Sequence, residues 1–440
     1  MLSRMRLLTT YLRTRHGLNF SSRLALEQHQ RKMMDRFMSR TLVRSPFYAP
    51  LTGRSLSEYP LMNKQLMMEN FDAINTRSIK RDDAFALAEE AERSRDFKLR
   101  LGGVSVGLST GTSGKRALFL TSDTEQMRWA GIILARMLPG SLIARHRIAL
   151  FLRANNNLYE SVSGQARIQF AFFDLMKPLP ELLTSLRDFD PTLVIAPAQV
   201  LRQLARLENL ERRRDGTRPV APARVVSVAE VLFDDDRAEI ERVFARKVDQ
   251  IYQCTEGLLA YTCRAGRLHL NETFLHVEPE WIDEGNTRFL PIITDFSRET
   301  QPIVRYRLDD VLTIDRSECV CGSHERVIAR IEGRADDILV LPHVTDGHLT
   351  HLMPDFVARA LTGAGGTIED FRIEQISERR LQIYLAAVEF ETAQSHAKLA
   401  LATLMRRHGL DEPEMHFAKL PACDLMSKRR RVRRNAAISL

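Results

Sequence analysis

The stretch Leu108-Ser109-Thr110-Gly111-Thr112-Ser113-Gly114-Lys115 decides how this chain is read. Its eight positions hold two glycines, four hydroxyl residues and a lysine. Glycines let successive backbone N–H groups turn toward one point, hydroxyls add donors, and a lysine ammonium suits phosphate oxygens. Val104 and Val106 lead in and Ala117-Leu118-Phe119-Leu120 lead out, so apolar runs flank the segment as two strands flank a turn. Two readings stand on composition alone: a grip for a nucleotide's phosphate tail, and a polar surface hairpin. The common P-loop is excluded, because its first glycine and its closing Ser/Thr are replaced by Ser109 and Arg116.

Working outward, 440 residues, 44% of them hydrophobic, suffice for a large core and two domains. No apolar run reaches the roughly 18 residues of a membrane span, and no signal-peptide core is visible. The first acidic residue is Glu27, after Arg4, Arg6, Arg13, Arg15 and Arg23. That start suits a transit peptide or a helix on an anionic surface, but a basic helix packed on the body is favoured. The net charge of +8 suits phosphate-rich small substrates or nucleic acid. Much of the excess lies in Lys428-Arg429-Arg430-Arg431-Val432-Arg433-Arg434; with only 7% aromatics and no nucleic-acid fold motif, nucleic acid is not expected as a partner. Five cysteines without a secretion signal point to a reducing, cytoplasmic compartment.

The periodicities predict an α/β chain. Residues 1 to about 45 read as helical. Arg147–Leu152 and Thr192–Ala196 read as buried strands, the second followed by a helix with Val200, Leu201, Leu204 and Leu207 on one face. Asp234 to Asp236 precede a helix carrying Ile240, Val243, Phe244 and Val248. Past Gly333 the character changes: Phe371–Ile376 and Leu381–Leu385 form a hairpin, and a helix runs from about Glu391 to His408, stopped by Gly409. The expected domains are 1–332 and a small α+β domain, 333–440.

Three downstream segments give the glycine-rich loop its meaning: Ile251-Tyr252-Gln253-Cys254-Thr255-Glu256-Gly257, Pro302 to Val311, and Arg330-Ile331-Glu332-Gly333-Arg334-Ala335-Asp336-Asp337. In this order and spacing they resemble the acyl-adenylate-forming superfamily of acyl-CoA synthetases, nonribosomal adenylation domains and luciferases. The phenylacetate–CoA ligase-like branch is the most similar. Within it, Ser45–Tyr48, Tyr59–Lys64, Asn70–Asp72 and Arg153–Tyr159 resemble the clade holding a synthetase that adenylylates a deazaflavin cofactor.

The resemblance implies a large adenylate-forming domain with a small mobile lid, and an ATP- and Mg²⁺-dependent ligase releasing AMP and pyrophosphate. Ser109, Thr110, Gly111, Thr112, Ser113, Gly114 and Lys115 would hold the β- and γ-phosphates of ATP. Ala229-Glu230 would lie at the adenine pocket, Tyr252 would stack on adenine, Thr255 would contact the α-phosphate and Glu256 would bind Mg²⁺. Asp310 would hold the ribose with Arg334 as its partner, Asp336 would be the hinge, and Lys428 the catalytic lysine. A lysine on a moving domain neutralises phosphate charge and leaves when the domain rotates; an ordinary basic tail is the other reading of Lys428. Phe172-Phe173-Asp174 would fall near the family's acyl pocket; a buried strand end is the equal alternative.

Cys263, His269, Cys319 and Cys321 have the donor types of a tetrahedral zinc site, and on the residues alone metal and buried thiols stand even. The ligase-like branch carries a similar arrangement, which implies one structural Zn²⁺. Departures also show: Gln253 replaces a glycine, Leu308-Asp309-Asp310 replaces Thr-Gly-Asp, and Pro342-His343 replaces the glycine lining the pantetheine tunnel. Adenylation of a small carboxylic acid is therefore better supported than transfer to CoA or to an acyl-carrier phosphopantetheine. The alternatives are a nucleotidyltransferase acting on a cofactor-like acceptor and a non-catalytic nucleotide-binding homologue.

Overall fold

The computed structural model describes residues 2–94, 96, 98–109, 116–152, 167–216, 218–422, 425, 427–435 and 438. The chain forms two compact units, one of residues 1–308 with 314–329, the other of residues 309–313 with 330–440.

In the first unit, predominantly apolar strands alternate with amphipathic helices, the pattern that buries both faces of a parallel sheet. Strand Leu193–Pro197 is buried along its whole length, and Arg224–Val228 is buried after its first residue. The strands lie in the order Ile168–Asp174, His146–Leu152, Leu193–Pro197, Arg224–Val228, Val248–Cys254, all parallel. Numbered along the chain that order is 2-1-3-4-5, a doubly wound arrangement that reverses between His146–Leu152 and Leu193–Pro197. Helix Ala198–Asp215 follows its strand directly and buries Val200, Leu201 and Leu204. Beyond Val248–Cys254 the pairing turns antiparallel, through Gly257–Thr262 to Leu268–Leu270, which pairs with residues 327 and 328.

The N-terminal helix Leu2–Leu12 packs on the body. Leu7 and Tyr11 join the core under helix Asp123–Met137. Gly131 makes the close crossing possible, since a Cβ there would lie 2.8 Å from the Leu7 carbonyl oxygen.

The second unit is built from strong alternation. Phe371 and Ile373 of strand Asp370–Ser377, and Leu381, Ile383 and Leu385 of strand Arg380–Ala386, turn inward. Helix Phe390–Arg407 lays Ala393, Ala397, Leu401 and Met405 on them at four-residue spacing. Gly409 ends that helix with φ +66°. The outer strands are both parallel to their neighbours: Glu414–Lys419 beside Arg380–Ala386, and Val432–Arg434 beside Asp370–Ser377.

Candidate functional site

Open α/β sheets bind ligands outside the carboxyl ends of their parallel strands, near the reversal of strand order. Ala229-Glu230 and Tyr252 to Glu256 lie on that edge, at the carboxyl ends of two adjacent parallel strands. Strand Arg224–Val228 ends at Ala229, whose φ of +66° lies in the left-handed region. The Glu230 N–H then bonds back to the Val228 carbonyl at 2.8 Å. This turn presents the Glu230 carboxylate to helix Ala198–Asp215, where Oε2 accepts from the Gln199 N–H at 3.1 Å. Pro197 offers that helix no capping side chain, so Glu230 supplies negative charge at its positive end.

On the adjacent parallel strand, Tyr252 is buried and a bulge separates it from Gln253. Thr255 and Glu256 form the half-buried two-residue turn between the paired Cys254 and Gly257. The Thr255 hydroxyl donates to Glu256 Oε2 at 2.9 Å. Gly257 gives the close approach of Asp295 its room: a Cβ would stand 2.8 Å from Asp295 Oδ2, so one of the two would have to shift. Burial pushes the Asp295 carboxyl above its ordinary value even though the Ser297 N–H and hydroxyl bond it at 2.7 and 2.6 Å.

Strands Val104–Leu108 and Leu118–Ser122 close as an antiparallel hairpin, as their apolar flanks predict. Ser109 is its clasp: its N–H donates to the Ala117 carbonyl at 2.8 Å, and its hydroxyl accepts from the Ala117 N–H at 2.9 Å. Thr110, Gly111, Thr112, Ser113, Gly114 and Lys115 lie outside the described residues, as do Arg153–Tyr159. Phe173 is committed to the core, stacked on Phe151 at 4.5 Å, while Phe172 is half-buried.

In the second unit, Arg334 donates to Asp309 Oδ2 at 3.2 Å and to Asp336 Oδ1 at 2.7 Å. Burial disfavours its charge, but Asp336, Asp310 and Asp309 outweigh that and raise the guanidinium's pKa. Burial also acts against the Asp336 carboxylate; Arg334 and Arg430 overcome it and hold the carboxyl below its ordinary value. Asp337 next door is pushed up to about 6 by burial, in spite of Arg430 Nε at 2.9 Å.

The basic run is no free tail. Arg429 bonds Asp370 at 2.6 Å, Arg430 clamps Asp336 and Asp337, and the buried Arg431 lies 3.4 Å from Asp370 and 4.9 Å from the Phe371 ring centre. Lys428, half-buried, enters the strand Val432–Arg434 through these anchored arginines. Reading the sequence missed Arg430, Asp337 and Asp370, because a run of arginines carries no sign of which carboxylates it meets.

The four predicted metal donors do converge, all within 4.8 Å of one another. Cys263 Sγ lies 3.7 Å from Cys319 Sγ, and Cys321 Sγ lies 3.6 Å from His269 Nε2. A tetrahedron with Zn–S near 2.3 Å and Zn–N near 2.05 Å has edges of about 3.8 and ~3.6 Å, so the donor set fits. His269 Nδ1 bonds the Glu325 carbonyl at 2.9 Å, which leaves Nε2 turned inward. Burial opposes ionisation of Cys263, yet bonds from His269 and backbone N–H groups bring its thiol down to about 6. Burial and the neighbouring sulfurs push Cys321 up to about 12. A dication among these donors would favour the thiolate forms that ligate it.

No family model matches this chain, and no curated protein matches it. Solved structures do. A 2-hydroxyisobutyryl-CoA ligase in its postadenylation state is similar over 94% of this chain and 89% of its own, with TM-score 0.63 and 15% identity. The anthranilate CoA ligase AuaEII, in complex with anthranoyl-AMP, covers 74% of this chain and 65% of its own, with TM-score 0.53 and 12% identity. The amide bond synthetase McbA of Marinactinospora thermotolerans covers 74% and 68%, with TM-score 0.51 and 14% identity. The chain thus has the mixed α/β fold of these solved structures, shared with the first over 94% of its length.

Proposed function

We propose that this chain is an ATP-dependent adenylate-forming enzyme that activates an aryl or acyl carboxylic acid as acyl-AMP and releases pyrophosphate. The observation that carries the reading is the gathering of Ala229-Glu230 and Tyr252 to Glu256 at the carboxyl ends of adjacent parallel strands, in a fold shared with such ligases. In this reading Tyr252 supplies the face on which adenine stacks, and Glu230 shapes the pocket from its helix-capping position. The Thr255 hydroxyl meets the α-phosphate, and Ser109 clasps the loop that holds the outer phosphates. Glu256 would hold Mg²⁺, which supplies positive charge to the phosphates when bound. Asp310 and Arg334 receive the ribose, and Asp336 is the hinge. Lys428 neutralises charge that develops as the substrate carboxylate attacks phosphorus.

Cys263, His269, Cys319 and Cys321 would hold a structural zinc; the closed four-donor set leaves no position for chemistry. Transfer of the acyl group to CoA or to a carrier-protein thiol is the second half of the reading.

The test is ATP-dependent pyrophosphate release across a panel of aryl and fatty acids, with hydroxylamine to trap acyl-AMP. Release with particular acids, falling by about 10²-fold or more in Lys428→Ala, is expected for loss of a preorganised charge at the transition state. ATP binding without release with any acid overturns the proposal, and then adenylyl transfer to another kind of acceptor replaces it. Thiol-dependent AMP formation, measured separately, decides the transfer step.

A further inference from the structure

Strands Leu339–Pro342 and Leu349–Leu352 of the second unit are joined by the loop His343-Val344-Thr345-Asp346-Gly347-His348. The loop closes on itself: the His343 N–H donates to the His348 carbonyl at 2.8 Å and the Gly347 N–H to the His343 carbonyl at 2.9 Å. Gly347 meets the turn's demand with φ +72°. Closure brings the two imidazoles face to face, centroids 4.8 Å apart and 19° from parallel. Asp346 Oδ1 reaches His348 Nδ1 at 2.5 Å. One donor atom from each of His343, Asp346 and His348 lies within 4.8 Å of the others.

We propose that this loop binds one exchangeable divalent transition-metal ion through His343, Asp346 and His348. Two imidazoles and one carboxylate are borderline donors that suit Zn²⁺, Ni²⁺, Co²⁺ or Cu²⁺, whereas Mg²⁺ and Ca²⁺ want oxygen. The surroundings orient the donors. His348 Nε2 bonds Thr350 Oγ1 at 3.0 Å, the outer contact that leaves Nδ1 for the ion. His343 is seated by Gly409, where a Cβ would stand 2.5 Å from Nε2, so that ring also turns Nδ1, now on the Thr345 hydroxyl at 2.8 Å, toward the loop. Donor atoms around a 2.05 Å coordination sphere stand about 3.3 Å apart. The His348 and Asp346 side chains are 57% and 62% exposed, so solvent leaves them room to open their 2.5 Å bond to that spacing and turn toward His343. Three protein donors leave positions open to water, so the ion exchanges.

This site uses no thiol and does not depend on the adenylation reading. Ni²⁺ is titrated calorimetrically into the full-length chain and into His348→Ala, Asp346→Asn, His351→Ala and Cys319→Ser. His351 is exposed on the following strand and outside the trio, and serves as the control. Native protein, His351→Ala and Cys319→Ser should share a Ni²⁺ site that weakens about tenfold or more in His348→Ala and Asp346→Asn, since even an outer-shell contact is worth that much. Mg²⁺ should give no heat assignable to it. Identical Ni²⁺ isotherms in native protein and both trio variants overturn the proposal, as does binding lost only in Cys319→Ser.

Discussion

Replacing Asp337 with Asn tests how the second unit holds the 335–337 turn. Burial places the Asp337 carboxyl at about 6, from an ordinary value of 3.8. An acid whose folded pKa lies above its unfolded one binds its proton more tightly when folded. Its contribution to stability is therefore fully present below the unfolded value and is lost as pH rises through about 6. At 1.36 kcal/mol per pH unit the whole spread is about 3 kcal/mol, and ~1.4 kcal/mol of it falls between about pH 5 and 7.5. Asparagine carries no such proton. Arg430 and Arg334 face the carboxyl, and Asp336, held below its ordinary value, stays ionised over this range. Both tryptophans, Trp129 and Trp281, lie in the first unit, so their fluorescence does not see this event. Amide hydrogen exchange over Asp370–Ser377 and Arg380–Ala386 does. The opening free energy of the native protein, relative to Asp337→Asn, should fall by about 1.4 kcal/mol between pH 5 and 7.5. A gap that stays constant with pH would refute the reasoning.

Elemental analysis of extensively dialysed protein should give one tightly held zinc per chain in the native protein and none in Cys319→Ser; native protein without zinc retires that part of the reading. Gly131→Ala forces a methyl to within 2.8 Å of the Leu7 carbonyl oxygen and 2.9 Å of Thr10 Cβ. Overpacking of this kind costs about 1–3 kcal/mol, so trypsin should cut at Arg13 and Arg15 faster than in native protein, and an unchanged cleavage rate counts against the packing described.

Much of the architecture is legible in the sequence. The glycine-rich segment showed its two strands because apolar runs flank it, and the helix ending at Gly409 showed itself by period and stop residue. The α/β fold expected from the resemblance is the fold of the similar ligases. What the sequence hid is long-range pairing. Arg430 meets Asp337 across 93 positions, and nothing in Arg429-Arg430-Arg431 distinguishes the three, although one is buried, Arg429 and Arg431 share Asp370, and Arg430 meets Asp336 and Asp337. Glu230 looked like a pocket residue; its bond to Gln199 depends on two strands lying side by side. The donor types of the Cys/His set were readable, but their meeting rests on Leu268–Leu270 pairing with residues 327 and 328.

That meeting has a consequence for how the chain folds. Cys263 and Cys319 are 56 positions apart, and the chain between them contains strands Leu275–Trp281, Arg288–Asp295 and Ile303–Arg307 together with residues 309–313 of the second unit. An ion tying the two cysteines is a cross-link across this whole excursion. By the chain-entropy rule for closing a loop of that size, such a tie withholds about 4 kcal/mol of freedom from the unfolded chain. Unlike a disulfide, it survives a reducing environment and dissolves in a chelator. If the proposed ion is held there, removing it would remove a staple on the route by which the polypeptide leaves its first unit and comes back.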